Sequence, residues 1–151
     1  MEAREQRGFE DLECYQLALQ VMSEAYKVIQ RLPPEEKYAL GLQMRKASVS
    51  IGLNIAEGYG RYHYLDSLRF FFIARGSRDE TMGCFIACDA LGYTTGELPE
   101  QRLLCHQALR SLNGYIRYVR TQQQGRQEYG DRVAVHENNP ICEIAPVDPE
   151  E

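Results

Sequence analysis

From Glu35 to Arg61 the chain carries three side-chain stripes at once, and one kind of local structure accounts for all three. Placed at about 100° per residue, Leu40, Met44, Ala47, Ile51 and Ile55 form one apolar stripe, while Leu42, Val49, Leu53 and Ala56 form a second on nearly the opposite side. Gln43, Lys46, Ser50, Asn54, Glu57 and Arg61 line up between them as a polar edge. A strand would explain the alternation of Val49, Ile51, Leu53 and Ile55, but it covers only residues 47–55 and leaves Gly52 at its centre. A phosphate loop fails as well: Gly52, Gly58 and Gly60 fit neither GxGxxG nor GxxxxGK followed by Ser or Thr, and no strand precedes them. The reading is a helix that Gly58 and Gly60 bring to an end. A bundle helix needs one apolar face for its own core, so a second, opposed one calls for another subunit. Oligomerisation is therefore expected, through Leu42, Val49 and Leu53 with Phe70 and Ala74 of the following segment.

The remaining periodic segments are helical too. Between Leu12 and Leu32, the residues Leu12, Tyr15, Leu19, Met22, Tyr26 and Ile29 recur in three- and four-residue steps, with Asp11 as the expected N-cap and Pro33 and Pro34 as the stop. PPEEK then places acids in the first turn of the second helix, at the positive end of its dipole. A third helix is predicted from Tyr64 to Leu91, ending at Gly92. Leu65, Leu68, Phe72, Gly76, Gly83, Ile86 and Ala90 share one side of it, and Phe70, Ala74, Ser77, Phe85 and Cys88 another, with Arg75, Arg78 and Asp89 on the wet edge. Gly76 and Gly83 lower helix propensity, which points to close approach by a neighbouring helix. The last helix is predicted from Pro99 to Gln123, with Cys105, Leu109, Leu112, Ile116 and Val119 as its seam. Four helices with short links make an all-α, antiparallel, up-down-up-down four-helix bundle the expected fold.

The chain divides into a flexible start over residues 1–8, the bundle over 9–125 and a tail over 126–151. The tail holds Arg126 and Arg132 against Glu128, Asp131, Glu137, Glu143, Asp148, Glu150 and Glu151, so its charge of −5 equals that of the whole chain and the body is neutral. With Pro140, Pro146 and Pro149 and little apolar periodicity, it is expected to be disordered or loosely attached; a passive tail is the preferred reading, docking of the apolar island ICEIAPV at 141–147 on a partner or along a groove the alternative. Neither a membrane span nor a signal peptide is indicated, and a cytoplasmic protein is expected. The five cysteines (Cys14, Cys84, Cys88, Cys105, Cys142) show no CxxC pair and no zinc-finger spacing. Cys84 and Cys88 fall on one helix face and are read as reduced core residues, with no metal or cofactor expected.

FEDLECYQLAL, LPPEEKYALGLQMRKASVSIGLNIAEGYGR, FFFIARGSRDET and DALGY, in that order, resemble the 23S rRNA intervening-sequence protein family, also called the four-helix bundle protein family. The resemblance runs over about residues 9–120 and is most specific in QMRKASVSIGLNIAEG and IARGS. It implies an antiparallel bundle assembling into a ring-like homopentamer. The family is also similar to the accessory variability protein of diversity-generating retroelements, a bundle pentamer that binds reverse transcriptase and nucleic acid. That relative is strongly basic, whereas the body here is neutral. Two further departures are Gly52-Leu53, where the family usually has Pro-Ser, and Arg78, where an apolar residue is common.

The expected function is a non-enzymatic oligomeric adaptor that binds RNA or a nucleic-acid-processing partner such as a reverse transcriptase. Arg45, Lys46, Arg61, Arg69, Arg75 and Arg78 form a loose basic set that a ring would repeat, raising avidity for a phosphate backbone. Tyr59, Tyr62 and Tyr64 beside Arg61 are placed to stack on exposed bases. Asp66, Asp79 and Glu80 are interleaved with the arginines, so the alternative is a protein-only scaffold in which they serve as salt-bridge partners. Catalysis is not expected, nor is a small-molecule substrate. Glu57 and Glu80 lack a His or second acid at a defining spacing, and His63, His106 and His136 are scattered. Asn54 and Glu57 are read as structural polar residues that hydrogen-bond across the bundle or an interface.

Overall fold

The computed structural model describes residues 8–94 and 98–130, Tyr129 by its backbone alone. The main helices are α1 (Glu13–Arg31), α2 (Leu40–Tyr59), α3 (Tyr64–Ala90) and α4 (Pro99–Gln122), followed by a single turn, α5 (Arg126–Tyr129). Each of the four long helices packs on its two neighbours in the order α1–α2–α3–α4–α1. Gln43 bonds to Glu80 and Arg61 pairs with Asp66, so α2 and α3 run antiparallel, as their short link requires. No described helix is long and apolar enough to cross a membrane.

The helix ends follow local chemistry, with two departures from the sequence reading. Asp11 closes a 3-10 turn (Gly8–Asp11), and the residue at the N-cap of α1 is Leu12, whose N–H bonds to the Phe9 carbonyl at 3.1 Å. The carboxylate thus sits one position too early to cap. At the other end Leu32 is extended, as a residue before proline must be. The second helix starts later than Glu35: Glu36–Tyr38 form a 3-10 turn, and Ala39 breaks from it before α2 begins. Glu36 caps from outside, its carboxylate accepting the Leu40 N–H at 3.4 Å and the Tyr93 hydroxyl at 2.9 Å. Pro99 opens α4 at its first position.

The core is assembled from Met44, Ala47, Ile51 and Ile55 of α2, Leu68, Phe71, Ala74, Phe85 and Cys88 of α3, and Cys105, Ala108, Leu112 and Ile116 of α4. On α1 the buried line is Cys14, Ala18, Val21, Ala25, Val28 and Ile29; of the seam expected from the sequence Ile29 is buried and Leu12 and Tyr15 pack against the core, but Leu19 and Tyr26 are exposed. Small residues let α1 approach α2 closely and push the bulky ones to its flank. On α3 the residues that include Ala74, Ser77, Phe85 and Cys88 face the core, whereas Gly76, Gly83, Ile86 and Ala90 face outward. Arg78, expected on the wet edge, is buried and pairs with Asp79 at 2.7 Å, its Nε lacking an acceptor. Cys84 and Cys88 both lie in the core.

Among the described glycines, Gly58 has the closest neighbours. A methyl group there would lie 2.6 Å from Cε1 of Phe71 and 3.0 Å from the Ser67 carbonyl oxygen. At the same end of the bundle the Tyr64 N–H, first in α3, donates to the Gln124 carbonyl beyond α4 at 2.9 Å. Residues 126–130, read from the sequence as the start of the tail, fold back onto the α2–α3 link. Tyr62 donates to Glu128 at 2.8 Å, and His63 Nε2 lies 2.8 Å from the Gly130 carbonyl. Gly125 makes this reversal with a φ of +83°, backbone that other residues rarely adopt. Residues 1–7 and 131–151, which hold most of the expected flexible start and acidic tail, lie outside the described residues.

Candidate functional site

Two surfaces of the bundle remain after its own core is satisfied. The first is the outer side of the α2–α3 hairpin. Between these helices runs a polar seam built from the α2 stripe: Gln43 donates to Glu80, the Ser50 and Ser77 hydroxyls meet at 2.8 Å, and Asn54 Nδ2 donates to both oxygens of Ser50 at 2.8 Å. Asn54 is therefore tied within its own helix rather than across the bundle. Glu57 pairs with Arg61 one turn on and is half exposed.

Outside this seam lie apolar side chains that the described residues leave uncovered. Leu53 is 64% exposed, Ile73 43% and Leu42 42%, while Val49 and Phe70 are partly buried. Ala74, expected among the interface residues, is instead fully buried in the chain's own core. Ile73, one residue earlier, holds the outward position, because the side that Ala74 shares with Ser77, Phe85 and Cys88 is the one turned to the core. Gly76 and Gly83 share this exposed side of α3, and a methyl at either would meet nothing within 4 Å. No described helix approaches them, so the close approach expected from the sequence is not made among the described residues.

The second surface is electrostatic, and here the predicted residues disperse. Arg45 donates to the Lys37 carbonyl at 2.9 Å, closing the turn before α2. Arg61 is held by Glu57 and Asp66 and lies 4.7 Å above the Phe70 ring. Arg75 lies 5.0 Å over Phe72 and reaches Asn113 on α4 at 3.4 Å. Arg78 is buried, whereas Lys46 and Arg69 are exposed. The tyrosines are also engaged: Tyr59 packs edge-on against Phe9 at 6.2 Å, Tyr62 holds Glu128, and Tyr64 is buried beside His63.

The sequence reading missed the arginines of α4. Arg110 and Arg117 are both exposed, and neither has an ion pair among the described residues. The signal was available: α4 carries Arg102, Arg110, Arg117 and Arg120 against one acid, Glu100. It was obscured because these arginines are spread among apolar residues rather than clustered. Between α4 and the start of α1 lies a groove of about 720 Å³ lined by both helices.

The buried thiols do not offer a reactive centre. Burial pushes Cys14, Cys88 and Cys105 up to about 11, so they stay protonated near neutral pH. His63 is spent on structure: its Nδ1 accepts the Leu65 N–H at 3.2 Å and caps α3.

A family model described as 23S rRNA-intervening sequence protein matches residues 10–114, from the turn before α1 into α4. No curated protein matches the chain.

Proposed function

Starting from the fact that the chain belongs to the 23S rRNA-intervening sequence protein family, we propose that it acts without catalysis, as a self-associating bundle that serves as an adaptor for RNA or for a nucleic-acid-processing protein. The observation that carries this reading is the uncovered apolar side of α2 and α3, where Leu42, Leu53 and Ile73 flank a polar seam already satisfied within the chain. Apolar side chains gathered on one face gain from burial against another copy. A homopentamer is the assembly that the resemblance implies. Repetition of Lys46, Arg69, Arg110 and Arg117 around such a ring supplies phosphate contacts that a single copy has too few of.

A protein-only scaffold is the second reading, favoured by the internal use of Arg61, Arg75 and Arg78. Native mass spectrometry on protein gently purified from its own cells separates the two. Five chains with a nuclease-sensitive excess mass support the RNA adaptor, and a clean multiple of the chain or one with added protein favours the scaffold. A bare monomer refutes the self-association. Arg75→Glu is expected to damage the bundle before it affects any ligand, which would mark that arginine as structural.

A further inference from the structure

The groove between α1 and α4 is lined by Leu12, Leu17 and Tyr118 as its apolar surface, with Arg110 at its edge. It exists because two small residues of α4, Ser111 and Gly114, face α1 where larger side chains would fill the space. Arg117 leans over the same place, its Nη2 3.9 Å from where a methyl on Gly114 would be. The one carboxylate in the lining, Glu13, accepts a hydrogen bond from Ser111 at 3.0 Å, and neither guanidinium has an ion pair among the described residues. An occupant of this groove needs apolar side chains along one side and negative charge beside them.

We propose that residues Ile141–Val147 of this same chain dock in the groove between α1 and α4. In an extended polyproline-type segment, which repeats every three residues, Ile141, Ile144 and Val147 project from one side. Glu143 lies within the segment, and Asp148, Glu150 and Glu151 follow it. Residues 131–151 hold one base and six acids, a charge of −5, against a body that is neutral and a groove where Arg110 and Arg117 outnumber Glu13. Reach is sufficient. The description ends at Gly130, bonded to His63 at the end of the bundle where α1 begins and α4 finishes. Ten residues separate Gly130 from Ile141, and the eleven Cα steps between them span up to about 36 Å. The groove extends from Tyr118 to Gln107, about 16 Å along the α4 axis, and Ile141 to Val147 covers about 19 Å. Length, apolar spacing and charge therefore all fit this one occupant.

The native cysteines make the test direct. Cys142 sits inside the proposed segment, whereas Cys14, Cys84, Cys88 and Cys105 are buried. A full chain carrying Gln107→Cys, a groove position that is exposed, is mixed as isotope-labelled and unlabelled copies, oxidised mildly and mapped by peptide mass spectrometry. The expected result is a disulfide between the new thiol and Cys142 of the same chain. It should form at least about tenfold faster than from Gln20→Cys on the outer side of α1, and more slowly with Ile144→Asp and Val147→Asp added. Equal rates from both positions, or no dependence on Ile144 and Val147, would overturn the proposal. Mixed-label disulfides alone would assign the groove to another copy's segment and overturn it equally.

Discussion

Replacing Gly58 with alanine tests the described glycine with the closest neighbours. In an ordinary helix interior this change stabilises by about 0.5–1 kcal/mol, because glycine loses more backbone freedom on folding. Here the added methyl would lie 2.6 Å from Cε1 and 2.9 Å from Cδ1 of Phe71, and 3.0 Å from the Ser67 carbonyl oxygen. Carbon contacts are comfortable at about 3.5–4.0 Å, so α2 and α3 must part by about 1 Å or the ring must turn. The ring has little freedom to turn, since Phe71 is fully buried and packs edge-on against Tyr115 at 5.3 Å. The Ser67 oxygen is backbone and moves only with its helix. Overpacking of this kind costs about 1–3 kcal/mol, leaving a net loss of roughly 1–2 kcal/mol after the helical gain. For urea unfolding followed by far-ultraviolet circular dichroism, that loss lowers the midpoint by about 0.5–1 M. The measurement is made at two protein concentrations so that dissociation is separated from unfolding. A variant as stable as the parent, or more so, would refute the close-approach account of this glycine.

Gly76→Ala and Gly83→Ala should behave oppositely, each raising the stability of the single chain by about 0.5–1 kcal/mol because no atom of the described residues waits within 4 Å. If a second copy covers this side of α3, the same changes weaken association, which sedimentation at several concentrations reads. Leu53→Lys, at the most exposed apolar position of α2, is expected to shift mass toward the monomer with helix content unchanged; an intact oligomer would place the interface elsewhere. The buried thiols predict alkaline sensitivity. Cys14, Cys88 and Cys105 are raised by burial to about 11, so between their ordinary value near 9.0 and 11 the folded chain holds protons that the unfolded chain has released. Stability should therefore be unaffected by these groups below pH 9 and fall as pH rises toward 11, with Cys→Ser variants at these sites showing a shallower decline.

What sequence reading reached and missed follows from how helices pack. The three stripes of α2 reappear as core, outer face and seam because Met44, Ile51, Leu42 and Leu53 are large enough to declare their sides. On α1 the same logic misled, since the close contact is made by Cys14, Ala18 and Ala25, and size does not mark them as buried. Arg78 looked like a surface residue by its charge, but its position on α3 faces α4, where Cys105 feels its field. The candidate surfaces divided similarly. Apolar exposure at Leu42 and Leu53 was foreseeable from phase. The fate of Arg75 depended in part on Asn113 of α4, a partner that sequence distance hides.

The bond from Tyr64 N–H to the Gln124 carbonyl links the first residue of α3 to the chain just past the end of α4, sixty positions later. An α2–α3 hairpin can form early from contacts near in sequence, as helical bundles with local topology do. This amide finds its acceptor only when α4 has arrived. Its proton therefore exchanges with solvent whenever the last helix lifts away, even while the hairpin stays intact, and its exchange rate counts the openings of the finished bundle.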